Sequence, residues 1–130
     1  MLALDTNTVV HLFRGLGQVP QNFLRESPGD IVLPAVVLYE LEVGVPRAPR
    51  PQQRREDIDS LMAAVRLLAF DDRAARAAAE VRVELERAGI GIGPIDNLIA
   101  GTALAYSATL VTHNTKEFSR VRGLRIVDWY

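Results

Sequence analysis

Short apolar runs alternate along this chain with longer stretches of helical period, and no other feature constrains the fold as much. Leu2-Ala3-Leu4, Ile31-Val32-Leu33, Leu67-Leu68-Ala69-Phe70, Thr109-Leu110-Val111-Thr112 and Leu124-Arg125-Ile126-Val127 read as strands. Runs with so little polar alternation suit strands covered on both faces, the environment of a parallel sheet. Between them lie helical patterns: Val9 to Phe13, Pro20 to Glu26, Pro34 to about Gly44, Gln53 to Arg66, Asp72 to Ala88, and a stretch opening at Ile95-Asp96-Asn97. The alternation predicts an α/β fold: a three-layer α/β/α sandwich with a mainly parallel central sheet and an edge strand at each side.

The chain has 130 residues, 48% hydrophobic and only 6% aromatic, so one compact domain with a core of Leu, Val, Ile and Ala is expected. No cysteine is present, which excludes a disulfide framework and thiolate chemistry. Any metal must then be held by carboxylates, histidines or backbone oxygens. Met1 leads directly into an apolar run with no basic segment or cleavage site. The longest apolar stretch, Ile31 to Val45, contains Glu40 and Glu42 and falls short of the ~20 residues of a membrane span. These features predict a soluble, cytoplasmic protein with no membrane partner.

The placement of the acids points to chemistry. Leu4-Asp5-Thr6-Asn7 ends a strand in an acid and small polar side chains, and ligands of open α/β sheets bind beyond such strand ends. The alternative is that Asp5 or Thr6 merely caps the following helix. Glu40 falls on a stripe with Val36, Val37, Leu41, Val43 and Gly44, where an acid is uncommon; a position at the stripe's edge, reaching water, is the alternative. Glu42 lies about 200° round the helix and is expected in solvent. Asp96 opens a late helix, where the helix dipole alone would favour it, yet it aligns with Ile99, Ala100 and Ala103 on the face toward the sheet. Gly89-Ile90-Gly91-Ile92-Gly93-Pro94 carries neither a Walker lysine nor Rossmann spacing and reads as a tight approach to that helix.

Carboxylates brought together raise one another's pKa unless a cation joins them. With oxygen donors only, that cation is Mg²⁺ or Mn²⁺. Asp5 and Asp96 are then the direct or water-bridged ligands, and Glu40 binds a second ion or aligns a water. Thr6, Asn7, Thr112 and Asn114 can orient carboxylates and hydration water. His11 and His113 read as surface or loop histidines. Lys116 is the sole lysine, and Arg47, Arg50, Arg54 and Arg55 cluster in a stretch broken by Pro46, Pro49 and Pro51, which predicts a stiff basic connector. An acidic hole in a mildly basic surface suits a phosphodiester, although the net charge of −1 is equally that of an ordinary solvated surface.

Four blocks carry a family resemblance: Leu4-Asp5-Thr6-Asn7; Glu40-Leu41 with Gly44; Ile92-Gly93-Pro94-Ile95-Asp96-Asn97-Leu98-Ile99-Ala100; and Leu110-Val111-Thr112-His113-Asn114-Thr115-Lys116-Glu117-Phe118. In this order and spacing they resemble the PIN-domain nucleases, more narrowly VapC-type toxins of bacterial toxin–antitoxin pairs. The likeness runs on to Asp128-Trp129, so residues 1–130 are expected to form a single PIN domain. The resemblance implies a Mg²⁺- or Mn²⁺-dependent endoribonuclease toxin that inhibits translation by cutting RNA, with tRNA, and initiator tRNA in particular, as the expected substrate. It implies Asp5, Glu40 and Asp96 as the acidic residues. Asn114 occupies the fourth acidic position of many PIN domains, and Glu117 is the nearby acid able to supply the missing charge. It further implies a homodimer and a VapB-type antitoxin, through which the complex binds DNA. Arg47 and Arg50 fall in a projecting segment expected to contact RNA phosphate.

Three rival readings remain at this level. Phosphatases with a strand-end aspartate nucleophile carry a second acid two residues on, where this chain has Asn7. A catalytically silent PIN-like module would bind RNA or protein without needing Asp5, Glu40 and Asp96. A DNA-binding regulator would need a recognition helix or basic stripe, and neither is evident.

Overall fold

The computed structural model describes residues 1–130. Five strands, β1 (Leu2–Leu4), β2 (Ile31–Pro34), β3 (Arg66–Leu68), β4 (Thr109–Val111) and β5 (Ile126–Val127), form one sheet in the order β3-β2-β1-β4-β5. Every pairing is parallel. The intervening helices are α1 (Thr6–Arg14), α2 (Val19–Arg25), α3 (Ala35–Gly44), α4 (Pro51–Ala64), α5 (Asp72–Ala88), α6 (Pro94–Ala105) and α7 (Thr115–Phe118). The α/β sandwich expected from the alternation is therefore present.

Burial explains the lack of polar alternation in the strands. Ala3, Leu4, Ile31, Val32, Leu33, Leu110 and Val111 are all essentially inaccessible, so β1, β2 and β4 are covered on both faces. The edge strands differ: Arg66 and Leu67 of β3 are exposed, as is Val127 of β5. The largest fully buried side chain, Phe118, comes from the one-turn helix α7, which the periodicity did not mark. No helix is long and apolar enough to cross a membrane.

Several expected boundaries move, among them the last strand, which is Ile126–Val127 rather than Leu124 to Val127. The fourth helix begins at Pro51 rather than Gln53, because proline in the first turn sacrifices no helical hydrogen bond. The stiff connector before it is further shortened by a 3₁₀ turn over Val45–Arg47. The third strand is Arg66–Leu68 and not Leu67 to Phe70, since α4 stops at Ala64 and Val65 is already extended. Asp71 then caps α5 by accepting the Ala74 amide at 3.0 Å.

Strand order places the site. From β1 the chain steps outward to β2 and β3, then returns to the other side of β1 for β4 and β5. The order reverses between β1 and β4, and such a switch point opens a crevice at the strands' carboxyl ends. The Asp5 amide donates to Val111 O at 3.1 Å, and Thr8 Oγ1 donates to the same carbonyl at 3.1 Å, tying the start of α1 to the end of β4. Opposite, α5 and α6 pack closely. The Asn97 amide group donates to Ala78 O at 3.1 Å, and a Cβ on Gly101 would come within 2.5 Å of Ala78.

Candidate active site

Asp5, Thr6, Asn7, Glu40, Asp96 and Asn114 line one cleft of about 120 Å³, closed on one side by Phe118. Elements distant in sequence thus deliver the three candidate acids to a single place. Asp5 follows β1 and is 4% exposed. Its Oδ1 accepts the Thr8 amide at 2.8 Å, so it caps α1 and lines the cleft at once. The capping reading is thus borne out, and the same side chain also faces the cleft. Glu40 projects from α3, and its Oε1 accepts a short hydrogen bond from Thr6 Oγ1. Asp96 lies in the first turn of α6, whose entry is set by Gly93 and Pro94.

The Glu40 stripe holds in part. Val36, Val37 and Leu41 are buried, whereas Val43 is 40% exposed and turned outward. Glu42 lies at the surface in a bidentate pair with Arg55, both bonds 2.6 Å, which holds its carboxyl below the ordinary range.

Crowding of the acids is legible in Asp96, whose pKa is pushed from 3.8 up to about 6. Burial is the largest cause, followed by the negative charges of Glu117, Asp5 and Glu40 and a hydrogen bond with Glu117. Glu117 does not itself line the cleft, but its charge bears on Asp96 from beside it. Asn114 cannot supply charge, but its Nδ2 donates to Glu117 Oε2 at 2.8 Å. Thr112 is fully buried and does not line the cleft; its Oγ1 accepts the Asn114 amide at 2.9 Å and fixes the turn.

The oxygen-only donor set and its mutual repulsion fit a hard divalent cation. No three acidic or histidine side chains are drawn together at coordination spacing, and Glu40 is engaged by Thr6. The cleft thus has the charge and donor chemistry for such an ion.

The arginine cluster divides. Arg47 lines a groove of about 320 Å³ that adjoins the cleft and shares Thr6 and Glu40 with it. Arg50 lines a different groove, with Phe13, Arg14 and Arg54. Arg54 lies over the Phe13 ring at 5.1 Å, and Arg55 is taken by Glu42. Neither histidine lines the cleft: both lie tilted against the Tyr130 ring, and His113 Nδ1 is 2.8 Å from Asp128 Oδ2. Sequence reasoning did not single out Phe118 as a wall of the cleft, nor Tyr39 and Ile95 as walls of the adjoining groove. The adjacency of Tyr39 to Glu40 and of Ile95 to Asp96 was the available signal.

Comparison with known proteins gives the family and agrees with the fold. The PIN domain family model matches residues 2–124. The chain is 32% identical over 126 residues to the tRNA(fMet)-specific endonuclease VapC of Shigella flexneri, covering 97% of this chain and 96% of that one. It is 33% identical to ribonuclease VapC2 of Rickettsia felis, with the same coverage of each. Among solved structures, the VapBC2 complex of Rickettsia felis bound to a promoter DNA fragment superposes with a TM-score of 0.91 at 31% identity, covering 99% of this chain and 98% of that one.

Proposed function

The chain belongs to the PIN-domain family, among its VapC ribonuclease toxins, and from that premise we propose a divalent-metal-dependent endoribonuclease that cuts tRNA. The observation that carries this reading is the convergence of Asp5, Glu40 and Asp96 on one cleft at the sheet's switch point. The Shigella relative's specificity for tRNA(fMet) makes initiator tRNA the substrate of choice, and its cleavage would stop translation.

Asp5, Asp96 and Glu40 are the residues to hold Mg²⁺ or Mn²⁺, with Glu117 as the fourth acid in place of Asn114. Such an ion supplies an activated water and neutralises charge developing on the phosphate. The chain's own contribution is orientation and charge. The Thr8 backbone amide fixes Asp5, the Thr6 hydroxyl fixes Glu40, and the Asn114 side-chain Nδ2 fixes Glu117. Asp96 holds a proton below about pH 6, which stabilises the metal-free cluster and competes with cation binding. Asn7 is exposed at the cleft mouth and can bond a phosphate oxygen or hydration water. Arg47, and Arg50 from its separate groove, would steer the polyanion.

The partner follows from the same relatives: a VapB-type antitoxin, through which the complex would grip DNA; the Rickettsia VapBC2 complex is itself bound to a promoter fragment. A homodimer and a cytoplasmic site of action complete the reading.

The direct test is incubation of purified protein with total tRNA in Mg²⁺ or Mn²⁺, beside EDTA and Asp5→Asn controls. Discrete fragments that vanish in both controls are expected, and end-mapping would identify the bond. An intact tRNA pool across a full metal titration would overturn the ribonuclease reading in favour of a binding module.

A further inference from the structure

Beside the acidic cleft lies a groove that no step of the hydrolysis requires. It shares Thr6 and Glu40 with the cleft and is otherwise walled by Tyr39, Val43, Gly44, Arg47 and Ile95. Its volume of about 320 Å³ is at the low end of the ~300–1,000 Å³ usual for small-ligand sites. Tyr39 is 60% exposed and Val43 40% exposed, so an aromatic ring and an aliphatic side chain face solvent there. Arg47 is exposed and enters none of the chain's ion pairs.

The pattern follows from local sequence. Glu40 and Asp96 are each preceded by an apolar residue, Tyr39 and Ile95. Successive residues on a helix point about 100° apart. On α6 the acid lines the cleft and its neighbour the groove, while on α3 Glu40 stands at the boundary of the two and Tyr39 lines the groove alone. A strand whose phosphate sits among the acids can therefore lay a flanking nucleotide on Tyr39, Val43 and Ile95.

We propose that this groove is a nucleobase subsite, in which Tyr39 stacks on an unpaired base flanking the scissile phosphate and Arg47 binds that nucleotide's phosphate. The inference rests on the ribonuclease reading and extends it to the form of the substrate. An exposed ring beside a free guanidinium is the combination that single-stranded nucleic acid recognises: the π-face takes any base, and the cation takes the backbone. A paired base cannot present its face to Tyr39, so the target phosphate lies in a loop or at an unpaired end.

The test measures fluorescence anisotropy of labelled oligouridylate, and of an abasic ribose-phosphate oligomer of equal length, in EDTA. Wild type should prefer the base-bearing oligomer by about tenfold, within the range of base–aromatic stacking. Tyr39→Ala should erase that preference, and Tyr39→Phe should retain it. Arg47→Ala should weaken both oligomers alike and lower the salt slope by about one. A preference undiminished in Tyr39→Ala would overturn the subsite while leaving RNA cleavage intact. So would a change in oligomeric mass on that substitution by sedimentation, which would mark Tyr39 as a subunit contact. Wild-type protein that bound neither oligomer and cut no tRNA would take down the ribonuclease reading and the subsite with it.

Discussion

Asn114 Nδ2 donates to Glu117 Oε2 at 2.8 Å, so a neutral residue at the position of an expected acid holds a charged one in its place. The one-turn helix α7 makes this possible, since residues three apart on a helix are neighbours. The charge has moved by a turn and still reaches the site, because Glu117 exerts the strongest repulsion on Asp96 of any acid.

Glu117→Gln should accordingly lower the pKa of Asp96 below its present value of about 6. It should stay above 3.8, because burial, the larger cause, persists. Carboxylate titration by NMR in the metal-free protein reads this directly. Cleavage should fall by about tenfold or more as the fourth acid loses its charge. An unmoved Asp96 titration would separate Glu117 from the site.

Asp96 also sets a pH dependence of stability. Its folded pKa of about 6 exceeds the ordinary 3.8, so the folded chain binds this proton more tightly than the unfolded chain. Where the native state holds the extra proton, stability falls as pH rises, here from about 4 to about 6. Asp96→Asn should therefore raise Tm in EDTA more at about pH 7 than at about pH 4. Equal shifts at the two pH values would contradict the assignment.

The fold and the acids were legible for different reasons. β1, β2 and β4 announced themselves because burial on both faces removes polar residues from the run. Asp5 was legible because an acid ending such a run stands at the strand's carboxyl end. The division of the arginines was not legible. Pro51 looks like a breaker in sequence but starts α4, and the helix then carries Arg54 to Phe13 and Arg55 to Glu42. Val43 fits the apolar period of α3 yet faces outward, since periodicity marks which residues share a stripe but not which of them the next layer covers. The α7 turn is too short for any period to register.

Close approach of α5 and α6 gives a prediction about the scaffold. A Cβ on Gly101 would stand 2.5 Å from the backbone and Cβ of Ala78, with no flexible side chain to yield. Gly101→Ala should thus destabilise the fold by about 1–3 kcal/mol, the usual cost of overpacking, despite alanine's better helix propensity. Urea denaturation of the two proteins decides it. A variant as stable as wild type would mean the helices separate at no cost, and the start of α6, with Asp96, would then shift.

Asp5 is the residue where structural and chemical roles can be separated by one atom's identity. Its Oδ1 caps α1, and asparagine caps as well as aspartate does, whereas alanine cannot. Asp5→Asn should keep wild-type stability, and Asp5→Ala should lose about 1 kcal/mol with the cap. Both should lose RNA cleavage by on the order of 100-fold or more, because neither leaves an anion in the cleft. Paired thermal melts and cleavage assays on the two variants make the distinction. If Asp5→Asn still cut RNA like wild type, capping alone would account for the residue, and the acidic cleft would need another centre.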